Sequence, residues 1–197
     1  MIPVKRKILT FFKRPHEVIR KYFRILILRE ILPLYSNENY DECWGFVSYK
    51  NKIVLDLGAD YGSTAYYFLK RGAKKVIAVE GDPFYASKLL KNYGMDSRVK
   101  CIYKWISSPK DIEQLIRFQP DMVKVDIEGM EIHIAKVRPE LLKSVREWLI
   151  EVHVKEVYEE LSKLFLSLKF KVYPIDYDMV GVYKIIYARA KEDQICS

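Results

Sequence analysis

Cysteine is scarce in this chain. The 197 residues hold three, Cys43, Cys101 and Cys196, an odd number set far apart. That spacing suits neither a disulfide framework nor a zinc cluster, so a reducing cytoplasm is the expected location. No Asn-x-Ser/Thr acceptor occurs, in agreement. Long apolar runs are missing too. Ile25 to Leu28, the longest near the N-terminus, is closed off by Arg24 and Arg29 and cannot span a bilayer. The run Ile8 to Phe12 is too short for a signal-peptide core and has no small-residue cleavage site. The G-x-G-x-x-G spacing of nicotinamide sites is absent, as is the (D/N)-P-P-(Y/F) signature of exocyclic-amine methylases. No repeats or low-complexity tracts appear.

What is present describes a folded α/β chain. Half the residues are hydrophobic, which excludes a disordered chain, and the length suits one domain with an extension. The net charge of +8 is unevenly placed: residues 1–34 carry nine Lys and Arg against Glu17 and Glu30, whereas the remainder is nearly balanced. From His16 to Leu32 the pattern is helical, with Val18, Ile19, Tyr22, Phe23 and Leu26 on one face and Arg20, Lys21 and Arg24 opposite. A ring-rich link follows over 34–51 (Tyr35, Tyr40, Trp44, Phe46, Tyr49), expected to shape a substrate pocket. The expected division is an extension over 1–50 and a ligand-binding domain over 51–197.

Within that domain, periodicity predicts strands over 53–57, 75–80, 98–104, 121–127 and 147–152, and helices over 63–71, 83–94, 109–118 and 155–168. Two last strands, 170–175 and 182–189, have no helix between them and are expected to pair antiparallel through 176–181. The expected fold is α/β, a Rossmann-like, doubly wound, mostly parallel seven-stranded sheet with a C-terminal antiparallel hairpin.

In such a sheet ligands bind beyond the carboxyl ends of the strands. The first strand runs into Asp56-Leu57-Gly58-Ala59-Asp60-Tyr61-Gly62-Ser63, and the second ends in Glu80-Gly81-Asp82. A glycine loop after one strand and an acid ending the next is how a βαβ unit grips a nucleoside, the acid accepting from the ribose diol. Asp56 and Asp60 would repel a pyrophosphate, whereas a ligand with a sulfonium, an ammonium and no phosphate tolerates them. That ligand is S-adenosyl-L-methionine. Trp105, just past the third strand, lies where an adenine ring would rest; core packing is the other reading of that ring.

The fourth strand and its end read Met122-Val123-Lys124-Val125-Asp126-Ile127-Glu128-Gly129-Met130-Glu131. Alternation places Met122, Lys124 and Asp126 on one face. The fifth strand ends in Glu151-Val152-His153, so adjacent strands would gather Lys124, Asp126, Glu151 and His153 beside Glu128 and Glu131. A Lys124–Glu151 pair that merely joins two strands is the alternative for the lysine. Lys124-x-Asp126-x-Glu128-Gly129-x-Glu131 resembles the hallmark of the FkbM family of S-adenosylmethionine-dependent methyltransferases. Asp56-x-Gly58-Ala59-Asp60-x-Gly62, Glu80-Gly81-Asp82-Pro83 and Glu151-x-His153 are similar to that family's cofactor loop, acid turn and fifth-strand ending, so the resemblance covers roughly residues 50–155. Asp60, where relatives commonly have Asn, and Gly81, where a larger residue is usual, depart from the pattern.

The resemblance implies O-methylation of a hydroxyl on a sugar, polyketide or related compound. Expected cofactor contacts are Asp56, Gly58, Ala59, Asp60, Tyr61, Gly62, Ser63, Glu80, Gly81, Asp82, Trp105 and Asp126. Expected catalytic residues are Lys124, Asp126, Glu128, Glu131 and His153, with Asp126, Glu131 and His153 as candidate bases. A divalent metal held by Asp126 and Glu128 is an alternative way to acidify the hydroxyl. The expected partner is a small-molecule or glycan acceptor. The basic segment 1–34 would cap the site, hold RNA, or dock peripherally on an anionic membrane surface.

Overall fold

The computed structural model describes residues 40–176 and 182–191. The expected helix over 16–32, the basic residues of 1–34, and most of the turn over 176–181 lie outside the described residues. In chain order the elements are α1 (Tyr40–Cys43), β1 (Ile53–Leu57), α2 (Ser63–Lys70), β2 (Lys75–Glu80), α3 (Pro83–Tyr93), β3 (Val99–Tyr103), α4 (Pro109–Ile116) and β4 (Met122–Val125). A 3-10 helix (Met130–Lys136), α5 (Pro139–Ser144), β5 (Glu147–Val152), α6 (Lys155–Ser167), β6 (Lys171–Ile175) and β7 (Lys184–Arg189) complete the fold.

The seven strands lie in the order β3-β2-β1-β4-β5-β7-β6. β1 pairs parallel with β2 and β4, β2 with β3 and β4 with β5, whereas β7 runs antiparallel between β5 and β6. The chain leaves β3 at one edge and re-enters at β4 beside β1. That reversal is the topological switch point of a doubly wound sheet. Both faces of the central strands are covered, so β1, β4 and β5 are buried almost throughout.

The link rings are spent on packing. Tyr40, Trp44 and Tyr49 are buried, and Tyr49 stacks on Phe68 of α2 with centroids 4.7 Å apart. Phe46 alone among the described link rings is exposed, against the edge of Tyr187 on β7. Tyr40, Trp44 and Tyr49 therefore anchor this segment in the core, while Phe46 stays exposed. Among the described residues no helix is long and apolar enough to cross a membrane.

Candidate active site

The switch point concentrates chemistry at the carboxyl ends of β1, β2, β4 and β5. Register places Asp56 of β1 directly beside Lys124 of β4, and both are fully buried. Thr64 Oγ1 donates to Asp56 Oδ2 at 2.6 Å, and Lys124 Nζ lies 3.3 Å from Asp56 Oδ1. Lys124 also donates to the Gly58 carbonyl at 2.8 Å, reaches Asp126 Oδ2 at 3.4 Å and sits 5.6 Å from the Trp44 ring centroid. Burial alone would lower the lysine pKa, but the charges of Asp56, Asp126 and Glu151 outweigh it and hold the ammonium form. The repulsion expected of Asp56 toward a ligand is thus cancelled inside the protein.

The loop itself has little freedom. Gly58 has φ of +78°, and a Cβ there would collide with the Asp126 carbonyl oxygen. Gly58 N and Ala59 N both donate to the Val79 carbonyl at 3.0 Å, tying the loop to β2. Asp60 sits in the left-handed region at φ 50°, which Asn and Asp tolerate better than other side chains. This conformation aims its N–H at Glu80 Oε2, 2.8 Å away. The other oxygen of Glu80 accepts from Gly81 N and Asp82 N, each at 2.8 Å. Three backbone donors therefore fix that carboxylate at the strand end. Asp82 caps α3, accepting from Phe84 N at 2.8 Å and Tyr85 N at 3.1 Å, so it shapes the turn. Tyr61 packs edge-on against Tyr85, Ser63 is buried at the start of α2, and Gly62 lies against the Tyr93 ring. Trp105 lies against Gly81 and is exposed.

Across the sheet the acids converge as the sequence predicts. Asp126 follows β4, its N–H bonded to the Leu57 carbonyl at 3.0 Å, and its carboxylate is partly open. The chain then turns through Glu128 at φ 52° and Gly129 at φ 94°, which leaves the Glu128 side chain 87% exposed. Glu131 is buried, not open: its Oε1 accepts from Ile127 N at 3.3 Å and Gly129 N at 3.2 Å, and lies 3.2 Å from His153 Nδ1. It pins the acid loop and lies beside the imidazole. His153 Nε2 faces Glu128 at 3.6 Å and Glu151 at 3.7 Å. Asp126, Glu128 and His153 each offer a ligand atom within 4.8 Å of the others, a spacing that one divalent cation bridges.

Glu151 sits on the face of β5 that carries Leu149, which pairs in register with Lys124, so it comes level with Asp126. Burial, then the Asp126 charge, push its carboxyl up to about 7. The sequence offered Glu151 as the structural partner of Lys124; Asp56 takes that place, leaving Glu151 to the open cluster. Thr64 carried no recognisable signal, because its role arises from a contact with Asp56 on the neighbouring strand.

No family model matches the chain. It is 26% identical over 117 residues to Uncharacterized protein 65 of Sulfolobus islandicus filamentous virus, spanning 58% of this chain and 67% of that protein. Among solved structures it is similar to Aeropyrum pernix fibrillarin with natively bound S-adenosyl-L-methionine, with a TM-score of 0.57 at 19% identity over 72% of this chain and 68% of that one. It is likewise similar to the O-methyltransferase from Bacillus cereus in complex with S-adenosylhomocysteine, with a TM-score of 0.59 at 13% identity over 84% and 90% of the two chains. The fold is the Rossmann-like class I fold of S-adenosylmethionine-dependent methyltransferases.

Proposed function

We propose that this chain is an S-adenosylmethionine-dependent methyltransferase of the FkbM type that its motifs resemble, methylating a hydroxyl of a sugar, glycan or other small molecule. The observation that carries the reading is the Glu80 carboxylate at the end of β2, fixed by three backbone N–H groups, one of them from the Gly58–Ser63 loop, on the same edge of the sheet as Asp126 and Glu151. Glu80 Oε2, which takes a single backbone donor, keeps a lone pair for a ribose hydroxyl, and Asp126 lies where a cationic sulfonium or ammonium is favoured. The cofactor supplies an activated methyl group, so the protein's work is alignment and proton removal. Lys124 holds Asp126 and the Gly58 carbonyl in one geometry. The Asp126–Glu151 pair accepts the hydroxyl proton, with His153 beside Glu151 and Glu131 behind the ring. A divalent cation, when bound, would be held by Asp126, Glu128 and His153 and would acidify the acceptor hydroxyl.

Thermal unfolding with added nucleotides tests the cofactor claim. S-adenosylmethionine at a hundred times its Kd is expected to stabilise the fold by about 2.7 kcal/mol, whereas NAD at the same concentration leaves the midpoint unchanged. Stabilisation by NAD alone would sink the reading.

A second reading, RNA methylation, is favoured by the basic segment 1–34 and by the juxtaposition of Lys124, Asp126 and Glu151. These three resemble in part the lysine-and-acid set used for ribose 2′-O-methylation. Deleting residues 1–14, which hold five of the nine basic residues, then weakens RNA binding and flattens its salt dependence by about 0.7 per lost phosphate contact on single strands. Unchanged RNA binding with lost affinity for vesicles of anionic lipid assigns the segment to a membrane surface instead.

A further inference from the structure

Two tyrosines bracket His153. Tyr183 N donates to the Val152 carbonyl at 2.8 Å, and Tyr158 N donates to the Val154 carbonyl at 3.1 Å. Both backbones are therefore tied to the carbonyls on either side of the imidazole. Their rings meet edge to face, with centroids 5.5 Å apart. Tyr158 packs against the apolar core, whereas Tyr183 and Val154 are exposed. One ring is thus a brace, and the other is a fixed surface at the carboxyl end of β5.

The charges gathered at this end have one sign. Asp126, Glu128, Glu131 and Glu151 converge here around a single imidazole. The lysines carried by the same segments are already engaged: Lys124 with Asp56, Lys155 with Glu159 at 3.9 Å, and Lys184 with Asp176. A phosphodiester laid against this surface would meet acids where it needs cations. Hydroxyl groups, by contrast, donate to carboxylates. The carbon face of a sugar ring presents C–H groups, which suit the negative face of an aromatic ring. A ring resting on Tyr183 has only to reach past His153 to bring a hydroxyl to Glu151, whose Oε1 lies 3.7 Å from His153 Nε2.

We infer that Tyr183, braced by Tyr158, is the acceptor platform, and that the acceptor is a phosphate-free sugar whose carbon face lies on that ring while one hydroxyl reaches the Asp126–Glu151 pair. This rests on the reading of that pair as the proton acceptor, and it narrows the substrate class from any hydroxyl compound to an uncharged sugar ring. It also separates the two functional readings, because an acid-lined acceptor end repels the phosphate backbone of RNA.

Saturation-transfer NMR on the protein loaded with S-adenosylhomocysteine tests it. The probes are the methyl glycosides of the common pentoses and hexoses, the hexose 6-phosphates, and a single-stranded RNA of mixed sequence. At least one glycoside is expected to bind, with transfer strongest at its ring C–H protons, and to bind more tightly than its phosphorylated counterpart. Tyr183→Ala is expected to weaken that glycoside by about 2- to 12-fold, as for loss of an aromatic pair. Tyr183→Phe keeps the ring and should keep wild-type affinity. Calorimetry should give both variants the wild-type affinity for S-adenosylhomocysteine, which shows them folded and the loss confined to the acceptor. Binding by none of the glycosides, an unchanged glycoside affinity in Tyr183→Ala, or methyl transfer to the RNA would each overturn the inference while leaving the cofactor reading standing. Failure of the wild-type protein to bind S-adenosylhomocysteine would remove the cofactor reading and this inference together.

Discussion

Lys124→Met is expected to lower stability at pH 7 by about 3–5 kcal/mol, measured by urea unfolding with an unchanged m-value. The lysine is fully buried, and so is the Asp56 carboxylate beside it. Thr64 satisfies one Asp56 oxygen, while the other has Lys124 as its cationic neighbour at 3.3 Å. Methionine fills similar volume, so the loss reads out charge and not a cavity. Without the lysine, Asp56 is left to burial, which already pushes its carboxyl upward. The sign of the pH dependence follows. An acid whose folded pKa lies above its unfolded value of about 3.9 favours the fold while protonated, and that support fades as pH rises toward the folded value. The variant should therefore gain ground on the wild type as pH falls toward that unfolded value. Adding Asp56→Asn keeps an acceptor for Thr64 and removes the stranded charge, so the double variant should recover more than half of the loss. A single-variant loss below about 1 kcal/mol would show that the pair is not what holds β1 to β4.

The same pair marks how far the sequence can be read. The bounds of β1, β2 and β5 agree with expectation because buried parallel strands are short continuous apolar runs flanked by clear turns. Strand parity correctly set Lys124 beside Asp126. It could not tell which neighbouring strand would supply the lysine's partner, since that depends on the order β2-β1-β4-β5, and Glu151 was as good a candidate as Asp56. β4 stops at Val125, earlier than its apolar pattern suggests, because Asp126–Gly129 turn through two left-handed residues. The 3-10 helix over Met130–Lys136 and α5 are too short for helical periodicity to show. Glu131 is a candidate base by sequence, and the N–H groups of Ile127 and Gly129 draw it inward, a contact between residues that no pattern of types reports. The seat of Trp105 was not legible either, since it depends on the room left by Gly81 just past β2.

Glu151→Gln and Asp126→Asn are each expected to cut methyl transfer by about 10²–10⁴-fold, and Glu151→Gln to leave S-adenosylhomocysteine affinity within a few-fold of wild type, measured by initial rates and calorimetry on the same preparations. Glutamine and asparagine keep shape and hydrogen bonding but cannot take a proton, so the loss isolates base function from packing. The pH profile separates the two. Glu151, held at about 7 by burial and by the Asp126 charge, is mostly protonated and inactive as a base at pH 6 and ionised at pH 8. The wild-type rate should therefore climb through pH 7 and level off above it. In Asp126→Asn the raising charge is gone, so the residual rate should reach its plateau at lower pH. In Glu151→Gln the rise through pH 7 should disappear. Stability moves the opposite way: an acid with a raised folded pKa costs the fold progressively as pH passes from its unfolded value toward 7, so Glu151→Gln should unfold at a higher temperature than wild type at pH 8 and at about the same temperature at pH 4. A variant that is more stable at pH 8 yet catalytically silent is the signature of a residue kept strained for chemistry. Full activity in Glu151→Gln, with the pH 7 rise intact, would move proton removal to His153 or to a cation held by Asp126, Glu128 and His153, and rates measured with and without EDTA would then divide those two.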